Sequence, residues 1–223
     1  MKRLLLTATM LAATFAPAAA FADSPQHLVD SSTLALESLM DGGPGQQAEQ
    51  FLRKARAVVI CPNIFRAGFM IGGEGGGCVM VARAAGGSWS DPAFYTLGSA
   101  SFGFQIGVQS AQVLMLVMTS GGLNALLNSQ FKFGADAGLT VATLGAGVNG
   151  SMSTALDADI LTLSKTEGLY GGVSLAGSIL GNDAGTEQAY YGNADDARDI
   201  VINMNGRNPG ANPLRAALTR FGG

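Results

Sequence analysis

Gly72-Gly73-Glu74-Gly75-Gly76-Gly77 places five glycines within six residues and runs straight into Cys78-Val79-Met80-Val81-Ala82. The run is one part of a chain-wide pattern. There are 32 glycines in 223 residues, about twice the usual share of ~7 %. They sit inside apolar, alternating segments rather than in a low-complexity tail. That placement points to strands that bend or pack backbone against backbone. A phosphate-binding loop would need Lys-Ser or Lys-Thr after the glycines, and Cys78 follows instead. The expected role of the run is therefore conformational, a tight turn with close backbone contact.

Around this run the chain reads as helices at both ends and strands between. Ser24-Pro25 is a helix start, and Leu28, Val29, Ala35, Leu36, Leu39 and Met40 share a face. Asp41 to Gly45 stops that helix, and a second is expected over residues 46–56. Ala57-Val58-Val59-Ile60-Cys61-Pro62 reads as a buried strand halted by proline. Residues 63–70 read as a helical turn or two. Trp89 to Tyr95 reads as an aromatic-bearing loop. Phe102, Phe104, Ile106 and Val108 alternate with glycine and glutamine, the pattern of one strand. Val113–Met118 is a continuous apolar strand, and Leu123–Leu127 a short helix. Further strands are expected over 131–138, 139–146, 151–164 and 169–180. Helices are expected over 195–204 and 213–221, where Leu214, Ala217, Leu218 and Phe221 make an apolar stripe. The class is α+β: a curled, barrel-like antiparallel sheet with N-terminal and C-terminal helices.

The N-terminus has the form of an export signal. Lys2 and Arg3 precede an uncharged run from Leu4 to Ala20, and Ala20-Phe21-Ala22 presents small residues before a cleavage between Ala22 and Asp23. The run is about 17 residues, at the short limit of a membrane span, and Pro17 interrupts it. Residues 1–22 are thus expected to be a cleaved signal peptide, leaving residues 23–223 as one domain in the periplasm or secreted. No cysteine follows the cleavage point to carry a lipid. In that oxidising setting Cys61 and Cys78 either form a disulfide or pack as free thiols in neighbouring strands. Their spacing does not decide between the two.

Catalytic chemistry finds little to build on. The single histidine is His27, in the first helix, so a histidine metal site or a Ser-His pair lacks partners. Ser129-Gln130-Phe131-Lys132 matches Ser-x-x-Lys but lacks its companion elements. Asp157 and Asp159 read as the solvent face of a strand. Asp195 and Asp196 read as a helix cap. No enzyme, metal or cofactor is expected. Charge is more informative. Arg53, Lys54, Arg56, Arg66 and Arg83 face only one acid, Glu74, in a chain whose formal net charge is −3. This stretch is either a site for anionic headgroups or, for its first three members, the wet side of helix two. Nucleic acid is not expected for an acidic chain without interleaved aromatics.

Several longer segments together carry a resemblance. They are residues 57–62, Ala67-Gly68-Phe69, Gly72-Gly73, and Trp89-Ser90-Asp91-Pro92-Ala93-Phe94-Tyr95. Gly98-Ser99-Ala100-Ser101-Phe102-Gly103-Phe104-Gln105-Ile106-Gly107 follows, then residues 133–137 and Gly168-Leu169-Tyr170-Gly171-Gly172-Val173-Ser174-Leu175-Ala176-Gly177-Ser178. In this order they resemble the SYLF domain over about residues 28–192. The resemblance implies a non-enzymatic lipid-binding module, since eukaryotic members bind phosphoinositide membranes and a yeast branch binds actin. Residues 23–52 lack the basic N-terminal segment of those members, for they contain no Lys or Arg. An exported chain is also not expected to meet actin. The expected partner is an anionic phospholipid, held by Arg53, Lys54, Arg56, Arg66 and Arg83, with Trp89 and Phe94 either at the membrane interface or packing their loop onto the sheet. The competing expectation is an envelope protein partner.

Overall fold

The computed structural model describes residues 24–41, 43–69, 71–102, 107–128, 130–135, 139–144, 157–167, 175–193 and 196–223. The expected signal peptide, with Ala22 and Asp23, lies outside these residues. So do Ser129, Asp195 and parts of the strands expected over 131–138, 139–146, 151–164 and 169–180.

The chain begins with α1 (Pro25–Met40) and α2 (Gly43–Leu52), then β1 (Ala57–Phe69) and β2 (Ile71–Ala82). Next come β3 (Ala93–Phe102), β4 (Gly107–Val117), α3 (Ser120–Leu126), β5 (Gln130–Lys132) and β6 (Val141–Leu144). The described elements finish with β7 (Ile160–Glu167), β8 (Ile179–Asn182), α4 (Ala184–Tyr191), α5 (Ala197–Val201), a 3-10 turn (Pro209–Ala211) and α6 (Asn212–Gly222). The strands form one curled, half-barrel sheet in the order β5-β8-β3-β2-β1-β4-β7-β6. The ladders are antiparallel except β6–β7, which is parallel, so the expected all-antiparallel sheet is in fact mixed. A parallel pair cannot be closed by a hairpin and needs a connection that returns to the same end.

β1 is the spine of the sheet. It pairs with β2 on one side and β4 on the other, and its first residues are buried on both faces. Val58 and Ile60 point into a core with Val79, Val81, Leu114, Leu116 and the helices α1, α2 and α6. Ala57, Val59 and Cys61 point into a second core with Met80, Val113, Met115, Phe131 and α5. A strand covered on both faces needs a continuous apolar run, which residues 57–61 supply.

Three expectations change here. β1 does not stop at Pro62 but continues to Phe69, and residues 63–69 are strand rather than helix. The register shifts between Ile60 and Phe65 in the ladder with β2 and between Cys61 and Ile64 in the ladder with β4, a bulge that lets a residue without an N–H sit inside a central strand. The glycine run is not a turn either: it lies wholly within β2. Its close backbone contact is real, for a Cβ on Gly76 would lie 2.2 Å from the Asn63 carbonyl oxygen displaced by the bulge. Finally, the alternating residues 102–109 do not make one strand. Phe102 ends β3 and Gly107 begins β4, and these strands pair with different neighbours.

Elsewhere α4 was not expected, although its signals are plain. Asp183 caps it by accepting from the Thr186 N–H, and Gly192 closes it at φ 80°. The apolar stripe of α6 is used internally: Leu214, Ala217 and Leu218 are buried in the core. Cys61 and Cys78, on adjacent strands with Cα atoms 4.1 Å apart, are joined by a disulfide.

Two measurements test this spine. Gly76→Ala should cost about 1–3 kcal/mol through a backbone clash, whereas Gly75→Ala, whose nearest atom is 3.5 Å away, should leave the urea midpoint within error or raise it. Replacing both cysteines by alanine should lower unfolding stability by about 3 kcal/mol, read from urea melts under oxidising conditions.

Candidate functional site

The expected cationic site separates into parts with different roles. Arg53 and Lys54 form the corner where α2 gives way to β1, and both are exposed, as is Arg56. The backbone here is fixed. The Lys54 N–H donates to the Phe51 carbonyl, that of Arg56 to Val117, and that of Arg83 to Arg56. These three side chains are therefore presented from a rigid base.

Arg83 is not available with them. Its guanidinium donates to the carbonyls of Ala55, Leu52, Gly222 and Gly223 at 2.9–3.3 Å. It also stacks on the Trp89 ring, 4.2 Å from its centroid. It ties together the C-terminal ends of α2 and α6, where unpaired carbonyls and the helix dipoles favour a cation. Arg66 is also engaged. It lies directly opposite Glu74 across the β1–β2 ladder and donates to its carboxylate at 2.8 Å. The other Glu74 oxygen accepts from the Ser178 hydroxyl. Arg66 stands ten residues along an extended chain from Arg56, about 30 Å at strand rise. Of the five expected headgroup ligands, the fold thus brings only Arg53, Lys54 and Arg56 together at the surface.

The expected interfacial aromatics are core residues. Trp89 is 2 % exposed and Phe94 0 %. Phe94 lies on β3 and packs edge-on against Tyr190 at 5.0 Å. Neither ring reaches a membrane surface.

A feature absent from the sequence-based expectations is a cleft of about 540 Å³ between α1 and the sheet. Its floor is the bulge of β1 and the glycines of β2. Gly75 and Gly77 lie on the same sheet face as the core residues Val79 and Val81, because side chains alternate along a strand. They supply no side chain there, so the core ends and a hollow begins. The walls include Leu34, 67 % exposed, and Phe65, 49 % exposed. One end is polar. Asn63 accepts from the Ser110 hydroxyl, Lys165 donates to the Ser38 hydroxyl, and the Gln112 Oε1 is buried without a hydrogen-bond partner. His27 also lines the cleft. No group of three or more His, Cys, Asp or Glu is gathered for a metal among the described residues.

The acids serve the fold. Asp159 is not on the face of a strand. It precedes β7 and accepts from Thr119 Oγ1 and from Thr140 N and Oγ1, which hold its carboxyl below the usual range. Asp196 caps α5. Glu187 on α4 is buried, with Oε1 accepting from the Phe94 N–H and the Asn182 amide. Its Oε2 has no partner. Burial, opposed by those two hydrogen bonds, pushes its pKa up to about 7.

The sign of the Glu187 effect is fixed by linkage. Unfolded, the group ionises near 4.5; folded, it keeps its proton to about 7. Stability should fall as pH rises through that window. Glu187→Gln should therefore match the parent at pH 4, exceed it by about 2–3 kcal/mol at pH 8, and flatten the melting profile between.

Comparison with known proteins gives a consistent picture. The family model described as Ysc84, Las17-binding protein actin regulator, matches residues 98–221. SH3 domain-containing YSC84-like protein 1 of Homo sapiens is 28 % identical over 171 residues, which is 76 % of this chain and 50 % of that protein. Its Xenopus laevis counterpart is 28 % identical over 152 residues, 68 % and 45 % of the two chains. LAS seventeen-binding protein 3 of Saccharomyces cerevisiae is 26 % identical over 172 residues, 75 % and 37 % respectively. The chain thus spans half or less of the length of the relatives it matches.

Proposed function

Because the chain belongs to the Ysc84/SYLF family, we propose that it is a non-enzymatic binding protein that associates with anionic phospholipid at a bacterial envelope membrane. The observation that carries this reading is the rigid corner bearing Arg53, Lys54 and Arg56. Three exposed cations on one short segment of an otherwise acidic chain make a surface complementary to phosphate headgroups. The Lys2–Ala22 pattern supports the address, the periplasm or a secreted form. Export also sets this chain apart from actin, which the family description names. No described helix is long and apolar enough to cross a membrane, so attachment by the surface is the mode that fits these helices. An envelope protein partner, the competing reading, would have to bind elsewhere than the α6 stripe, whose Leu214, Ala217 and Leu218 face the core.

Flotation with phosphatidylglycerol vesicles across a salt series tests this. Binding is expected at low ionic strength and should fade as salt screens the corner. At about 1 kcal/mol per cation, making Arg53, Lys54 and Arg56 all alanine should weaken binding by about a hundredfold. Absence of flotation at low salt rejects the reading. Unchanged flotation of the triple variant rejects the corner.

A further inference from the structure

We propose that the cleft between α1 and the glycine strand holds one acyl chain of a single anionic phospholipid, with its headgroup at the Lys165 end. This rests on the phospholipid reading above but places a second, chemically different mode of engagement away from the basic corner.

The hollow is built into the sheet. A core position on β2 normally carries a side chain such as Val79 or Val81, yet Gly75 and Gly77 leave the same face bare. α1 does not close the gap. A Cβ at Gly77 would meet Leu28, but farther along the helix Leu34 stands 67 % exposed over the space, and Phe65 rises from β1 at 49 %. Two large apolar side chains bordering the bare backbone of Gly75 suit an aliphatic chain, and about 540 Å³ lies in the usual range of small-ligand sites.

Charge complementarity fixes the headgroup. Lys165 is the one Lys or Arg among the lining residues, and no Asp or Glu is among them. The net charge of the chain is −3, so an acid-free cleft is a local departure from the rest of the molecule. Asn63, Ser110 and Gln112 join Lys165 on the floor. They offer donors and acceptors together, which suits a hydroxyl-bearing phosphoglycerol better than a bare carboxylate.

The test uses 16-carbon lysophosphatidylglycerol below its micellar concentration, titrated by calorimetry and counted by native mass spectrometry. One molecule per chain is expected, bound about tenfold tighter than lysophosphatidylcholine, a difference of about 1.4 kcal/mol. Gly75→Leu should fill the hollow and abolish binding. Leu34→Asp, at an exposed position that the fold does not need, should weaken it at least about tenfold and serves if the glycine variant fails to fold. Lys165→Gln should remove the preference over lysophosphatidylcholine while leaving a weaker complex. No binding, or binding unchanged in a folded Gly75→Leu or Leu34→Asp variant, overturns the proposal. Palmitate binding as tightly as lysophosphatidylglycerol overturns the assignment to phospholipid. Vesicle flotation without lysolipid binding rejects the cleft and spares the corner. Lysolipid binding without flotation rejects the corner and supports the cleft.

Discussion

β1 is hydrogen-bonded on both sides and its first residues are buried on both faces, and the rest of the structure is arranged around that double confinement. A strand so placed must satisfy its backbone groups within the two ladders. Pro62 brings no N–H, so it is accommodated only because the register of both ladders slips around it, between Ile60 and Phe65. The slip swings the Asn63 carbonyl over β2, and only a residue without Cβ fits beneath it at Gly76. On the near side of the bulge the strands still face each other closely enough for Cys61 and Cys78 to bond. Proline, bulge, glycine and disulfide are thus consequences of one crowded position.

The same region explains why the molecule has a cleft at all. Close packing is the norm for protein interiors, and the α1 side of the sheet obeys it from Val79 onward. Leu28 of α1 seats against Gly77, but no atom of the helix comes near Gly75, and Leu34 and Phe65 remain exposed. An exposed apolar pair over a bare floor forgoes burial that a few larger side chains would provide, about 25 cal/mol per Å². At the opposite end of β1 the chain is held tightly. Arg83 gathers carbonyls from α2 and α6 and rests on Trp89, which leaves Arg53, Lys54 and Arg56 projecting from an immobile turn.

The sequence speaks clearly where periodicity and burial coincide. The apolar face of α1, the two-faced run at 57–61 and the apolar run of α6 are all legible because one core or two cover them. It misleads where a tertiary contact overrides a local rule. Pro62 reads as a stop until two flanking strands are known, and residues 102–109 alternate like one strand while belonging to two. Charge is harder still. Counting Arg66 and Arg83 with their neighbours suggests a patch of five cations, but Glu74 lies across the ladder from Arg66 and four carbonyls converge on Arg83. Neither partner is visible from spacing. Trp89 and Phe94 read as membrane-seeking for the same reason: a sequence shows an amphipathic ring, and only the fold shows what surrounds it. The cleft had one available sign, glycines at alternate positions facing a helix. It becomes a signal only once β2 is known to be a strand beneath α1.

Once the engaged charges are removed, two surfaces of different physics remain. The corner of Arg53, Lys54 and Arg56 would act at a distance and weaken with salt, because exposed charges are screened over about 10 Å at 0.1 M. The cleft would act on contact, through apolar area that salt does not screen, with Lys165 to orient what enters. The first would gather the protein onto an acidic membrane without selecting a molecule. The second would select a chain length and a headgroup without needing a high density of charge. They lie on either side of the bulge, some 20–30 Å apart at strand rise, so a lipid held in the cleft and a bilayer at the corner would be separate ligands of one rigid sheet.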